Sequence, residues 1–149
     1  MNRHTGFDID LGTLGFAFTT PPLLIGGKAM EYYQLRKTGA DIDFVVSRND
    51  YQQLAEKYPD HLKEIFGDLG VCIYEFELWQ SVFLFEFDFL AEKAVDLGVF
   101  KIISIEKLLF LKTLAITDEK NERDVKLLVD KIRDIQYGTD PIFDKAYFK

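Results

Sequence analysis

Residues 23–47 spell out a strand, a glycine pair, a helix and a second strand that opens on Asp-x-Asp, an order that few folds accommodate. The run begins Leu-Leu-Ile-Gly-Gly-Lys-Ala-Met and ends Arg-Lys-Thr-Gly-Ala-Asp-Ile-Asp-Phe-Val-Val-Ser. Leu23, Leu24 and Ile25 read as a short buried strand, and Gly26-Gly27 closes it. Residues 28–35 read as a helix, Lys37-Thr38-Gly39-Ala40 as a turn, and residues 41–47 as the second strand. Alternation along that strand places Asp41 and Asp43 on one face and Ile42, Phe44 and Val46 on the other. Two carboxylates so placed can share a divalent cation, and the glycine turn leaves space beside them for phosphates.

The chain has 149 residues, 48% of them hydrophobic, which is enough for one domain with a real core. A single domain over residues 1–149 is expected, with a sheet-bearing core at about 20–100 and C-terminal helices at about 104–137. A net charge of −7 leaves no general basic face, so extended nucleic-acid binding is not expected. Cys72 is the single cysteine; it lies in an apolar run and reads as a small buried hydrophobe. His4 and His61 have no Cys or His partners at metal-ligand spacing, which argues against zinc. No apolar run approaches the roughly 20 residues of a membrane span, and the N-terminal stretch is acidic where a signal peptide is apolar. A cytoplasmic protein with no membrane partner is the expectation.

Elsewhere the pattern predicts a short helix or irregular arm over 8–18, a break at Thr19-Thr20-Pro21-Pro22, and a helix from Asn49 or Asp50 to Lys57. Residues 61–66 read as a second helical piece closed by Gly67. Residues 71–78 and 82–90 read as an antiparallel hairpin joined by Trp79-Gln80-Ser81, where Trp79 could stack a base but reads better as covering the sheet. Ser104 and Asp118 each cap a helix, the second with an apolar stripe at Val125, Leu128, Val129, Ile132 and Ile135. Residues 138–149 read as a tail. The fold class is α/β (α+β): a mixed β-sheet flanked by helices, with a helical C-terminal segment.

A third carboxylate is sought by parity in residues 82–90. As one strand, these put Phe83, Phe85, Phe87 and Phe89 on a core face and Glu86 and Asp88 on the other. Asp88 ranks first as partner of Asp41 and Asp43, Glu86 second, and Glu77 third. Converging carboxylates need a cation to relieve their repulsion, and hard oxygen donors suit Mg²⁺ (or Mn²⁺).

The glycine pair after an apolar strand, Arg36 and Thr38 in the connecting turn, and Asp41-Ile42-Asp43-Phe44 together resemble the polymerase-beta-type nucleotidyltransferase superfamily. The likeness is to its small bacterial group related to abortive-infection toxins and antibiotic nucleotidyltransferases. A weaker match covers Ser104 to Lys112, then Lys120, Arg123-Asp124 and Leu127. The resemblance implies a nucleotidyltransferase-like sheet in which Asp41, Asp43 and Asp88 are catalytic and hold metal. Gly26, Gly27, Lys28, Arg36 and Thr38 would bind the nucleotide. Read from the residues alone, Lys28 is equally a solvated helix lysine and Arg36 equally a cap on the helix C-terminus, and Lys112 on the first C-terminal helix is a further candidate to face the site. The implied reaction moves an NMP from an NTP to a hydroxyl acceptor (small molecule, protein or RNA) and releases pyrophosphate. The turn into the first Asp is one residue longer than the common form, and a glycine stands where many members have serine. No separate acceptor domain is visible, so acceptor recognition is expected from the C-terminal helices or from an oligomeric partner. The alternative is a non-catalytic nucleotide-binding or interaction domain of the same fold, such as a regulatory toxin–antitoxin component with an antitoxin partner.

Overall fold

The computed structural model describes residues 9–138; His4, Asp8 and the tail beyond Gly138 lie outside the described residues. The chain divides into two compact units, Met1–Ile103 and Ser104–Lys149. The first holds the sheet and the second is helical, a mixed α/β arrangement.

In the first unit, β1 (Leu23–Ile25) runs into α1 (Gly26–Tyr32), and β2 (Ile42–Val45) into α2 (Arg48–Lys57). Next come β3 (Leu62–Ile65), β4 (Asp68–Ile73), β5 (Phe76–Trp79), β6 (Ser81–Val82), β7 (Phe85–Glu86), α3 (Phe87–Leu90), β8 (Val95–Asp96) and β9 (Lys101–Ile102). Seven of these strands form one sheet in the order β3-β4-β5-β2-β1-β9-β8. β2 is antiparallel to β1 and parallel to β5, while β1 is parallel to β9. β6 and β7 form a separate two-stranded ribbon.

Register divides the large sheet into two faces. Val71, Leu78, Phe44, Leu24 and Ile102 stand opposite one another across five strands, and each has 0% exposure. Phe44 anchors this core face, stacked near Phe76 with ring centroids 6.4 Å apart and edge-on to Phe100 at 5.6 Å. One residue further along each strand the side chains emerge on the opposite face.

Asp50 fastens the chain that enters β1. It is fully buried at the start of α2, and its carboxylate accepts hydrogen bonds from the amides of Thr19 and Thr20 and from the Thr19 hydroxyl. Ser47 caps the same helix by accepting the Asp50 amide.

Several expectations are corrected. Residues 61–66 are not helical: Pro59–His61 is a 3-10 turn, after which β3 and β4 pair around Phe66-Gly67. Both turn residues have positive φ, 48° and 95°, the geometry of a two-residue hairpin; a glycine after an apolar run signals a helix end equally well. Residues 71–78 are not one strand, because Tyr74, at φ 55°, turns β4 back into β5. Residues 82–90 are not one strand either. Phe83 and Leu84, with φ of 51° and 65°, form the turn between β6 and β7, and Phe87–Leu90 is helical. The all-Phe strand face therefore does not exist: Phe83 is 44% exposed, Phe87 is buried, and Phe85 stacks on Phe89 at 4.9 Å. Strands β8 and β9, which carry no strong alternation, were not expected.

In the second unit, Ser104 caps α4 (Ile105–Leu114) and Asp118 caps α5 (Glu119–Tyr137), which ends at Gly138 in the left-handed conformation. The two helices pack on each other. Lys112 of α4 pairs with the buried Asp124 of α5 at 2.9 Å. Leu128 is buried on the expected stripe of α5, whereas Val129 is 36% exposed. Among the described residues, no helix is long and apolar enough to cross a membrane.

Candidate functional site

The face opposite the Phe44 row carries the row Cys72, Glu77, Asp43 and Ile25, each in register with the next across β4, β5, β2 and β1. Neighbouring strands lie about 4.8 Å apart, so the Asp43 and Glu77 side chains rise into the same space. Burial decreases along this face. Val45 and Trp79 are buried, Asp43, Glu77 and Cys72 are half-buried, and Asp41 and Glu75 are exposed.

The glycine pair is shaped to these neighbours. Gly26 sits at φ 67°, and a Cβ placed on it would lie 2.5 Å from Oδ2 of Asp43. A Cβ on Gly27 would lie 2.2 Å from Oγ1 of Thr38 and 3.8 Å from Nη1 of Arg36. No other residue leaves the Asp43 carboxylate and the Thr38 hydroxyl where they are. Asp43, Gly26, Gly27, Arg36 and Thr38 thus meet at the junction of β1 and α1, while Asp41 precedes β2 on the same face.

The other expected site residues have partners or settings of their own. Lys28 pairs along α1 with Glu31 at 3.8 Å. Glu86 pairs with Arg48 of α2. Asp88 lies exposed on the single turn of α3, so the strand parity that nominated it does not hold. Lys112 belongs to the helical unit and is engaged by Asp124. Glu77, ranked third in sequence, is the carboxylate in register with Asp43.

Cys72 is half-buried on this face and is not a core hydrophobe. Burial pushes its thiol pKa up, and the charge of Glu77 raises it further; Lys63 acts in the opposite sense, and Asp43 and Asp41 add to the rise.

Beside the pair opens a cleft of about 220 Å³ walled by Ile25, Ile65, Trp79, Val82 and Phe83, with Asp43 and Glu77 also lining it. Trp79 is the last residue of β5 and is only 8% exposed. Its ring lies over Gly70, where a Cβ would come within 2.6 Å of it; a glycine inside a strand is the signal that marks such close approach. Asp68 shapes the far wall, accepting the Ser81 hydroxyl at 2.6 Å and the amides of Phe83 and Leu84 at 2.8 Å each. Neither Asp68 nor Gly70 was singled out in the sequence.

Comparison with protein-family models, with curated proteins and with solved structures returned no match. The site is therefore read from its own chemistry. Among the described residues, no group of three or more His, Cys, Asp or Glu side chains is placed to hold a metal ion as the side chains stand, and Asp41, Asp43 and Asp88 form no such group. The donors that do converge are the carboxylates of Asp43 and Glu77 with Asp41 nearby, beside a thiol pushed toward its neutral form. An all-oxygen set of one or two carboxylates completed by substrate phosphate is what Mg²⁺ accepts. The space kept by Gly26 for the Asp43 carboxylate fits that use.

Proposed function

We propose that the sheet-bearing unit is a metal-dependent nucleotidyltransferase that moves an NMP from an NTP to a hydroxyl acceptor with release of pyrophosphate. The observation that carries the reading is the Asp43–Glu77 pair, in register across parallel strands, with the Asp43 carboxylate seated against the Cβ-less Gly26. Asp41 and Asp43 would hold Mg²⁺, which supplies charge neutralisation and polarisation of phosphoryl oxygens when bound. Gly26 and Gly27 let phosphate oxygens approach the backbone, and Arg36 and Thr38 stand at the same junction to orient them. Glu77 takes the place first assigned to Asp88 and accepts the proton of the attacking hydroxyl. In such transfers the protein contributes mostly positioning and electrostatics.

The test is thermal unfolding of the full chain with Mg²⁺ and each NTP. At a hundredfold excess over Kd, binding to the native state adds about 2.7 kcal/mol, a rise in Tm on the order of 5–10 °C. The rise is expected in the wild type and lost in Asp43→Asn. No rise with any NTP at millimolar Mg²⁺ would overturn the reading. One observation favours the second reading, an interaction domain of the same fold: Phe66 and Leu84 at the hairpin tips are 97% and 66% exposed. That reading predicts no response to nucleotide.

A further inference from the structure

Three bulky residues occupy left-handed turn positions that favour glycine or asparagine: Phe66 at φ 48°, Phe83 at 51° and Leu84 at 65°. None is turned inward, since Phe66 is 97%, Leu84 66% and Phe83 44% exposed. The two hairpin tips that carry them touch. A Cβ on Gly67 would lie 3.2 Å from Cδ2 of Leu84, and Asp68, the next residue, accepts the amides of Phe83 and Leu84. The tips therefore form one surface, which Ile65, also exposed, extends beside Phe66. Strained backbone that a neighbouring carboxylate holds in place, only to present apolar groups to water, points to a surface that is covered in use.

These four side chains expose roughly 500 Å² per copy. Two such patches meeting would bury about 1,000 Å², the size at which specific contacts begin. A second feature selects a copy of this chain as the occupant. The cleft of about 220 Å³ beside Asp43 and Glu77 has Ile65 and Phe83 in its wall, so it opens on the patch. An apolar cavity of roughly 150 Å³ is enough for a benzene ring, and Phe66 supplies such a ring unburied. Plug and socket adjoin at residues 65 and 66, so a single two-fold axis satisfies both in both copies. The other two-fold contact open to this edge is disfavoured. Antiparallel pairing of the edge strand β3 with its own copy would set Lys63 against Lys63 or Glu64 against Glu64.

We propose that the chain forms a two-fold dimer through these tips, each copy's Phe66 entering the other's cleft against Trp79 and Val82. The ring would complete the apolar wall beside Asp43 and Glu77. The contact needs no nucleotide, so its failure would leave the nucleotidyl-transfer reading untouched.

The test is sedimentation equilibrium of the full chain from about 1 to about 200 µM, with the emission of Trp79, the single tryptophan, read over the same range. A monomer–dimer equilibrium is expected, and the emission should shift to the blue along the same isotherm as the ring displaces water from the cleft. Phe66→Ser, at an exposed position, is expected to keep at least the wild-type Tm at the dilute end. It should weaken the dimer by about a hundredfold or more, because the contact loses its anchor twice, and should lose the emission shift. Leu84→Ser is expected to weaken the dimer less, by about tenfold. A chain that stays monomeric throughout would overturn the proposal, and its flotation with phosphatidylcholine vesicles would then give the patch to a lipid surface. A dimer that Phe66→Ser leaves at wild-type strength, a dimer that forms with no change in Trp79 emission, or assembly beyond the dimer would each overturn it as well.

Discussion

The two faces of the sheet are made by the same strands one residue apart, yet they serve opposite ends. The Phe44 row is closed: five apolar side chains from five strands, all at 0% exposure. The Asp43 row is open: a thiol, two carboxylates and a single apolar end, mostly half-buried. Burial of apolar area stabilises the first at about 25 cal/mol per Å². The second buries less apolar area and gathers polar and charged side chains, with Lys63 acting on Cys72 in the sense opposite to the carboxylates. The proposed function thus puts stability and chemistry on alternate residues of β2, and substitutions on the two faces should separate cleanly.

The largest expected effect is on the closed face. Phe44→Ala removes a ring between Phe76 and Phe100 and should cost about 3–5 kcal/mol in urea unfolding, more than Asp43→Asn, which removes no apolar volume. Comparable losses from the two would break the distinction between the faces. A smaller effect is expected at the junction. Gly26→Ala places a Cβ against Asp43 at φ 67°, costing about 1–3 kcal/mol, and should also abolish stabilisation by Mg²⁺·NTP. Gly98→Ala, at φ 91° with nothing within 4 Å, should show strain of similar size but keep the nucleotide response. If both variants respond alike, the shaping of Gly26 to Asp43 has no functional meaning.

The first half of this arrangement was legible because its signals are local. The order of β1, α1 and β2, with Gly26, Gly27 and the Asp41/Asp43 parity, follows from alternation and turn chemistry within 25 residues. The single strand expected over 82–90, whose parity nominated Asp88, fails because these residues alternate well as a strand, whereas the positive φ of Phe83 and Leu84 violates the residue preferences of such turns. What holds that turn is Asp68, 15 residues earlier, a long-range contact that no window of sequence contains. The helix expected over 61–66 failed for a related reason, since Phe66 also occupies a turn position that seldom carries a bulky side chain. Once both hairpins are in place, Glu77 reaches Asp43 through β-sheet register alone. The C-terminal helices were legible throughout, their caps at Ser104 and Asp118 being short-range signals.

The central claim is that Asp43, Glu77 and Asp41 act as one anionic, cation-binding face, and Cys72 stands in that face as its reporter. Thiolate is the reactive form, so the raised thiol pKa should make alkylation by iodoacetamide at pH 8 slower than for a free cysteine. By linkage, the neutral thiol's contribution to stability is complete below the unfolded pKa and is lost as pH rises through the higher folded value. Alkylation rates of the wild type, Glu77→Gln and Asp43→Asn, each titrated with Mg²⁺, read the field directly. The account predicts faster alkylation in Glu77→Gln than in Asp43→Asn, both faster than wild type, and a saturable acceleration by Mg²⁺ in the wild type that the variants lose. A wild-type rate indifferent to Mg²⁺ and unchanged by either substitution would contradict it.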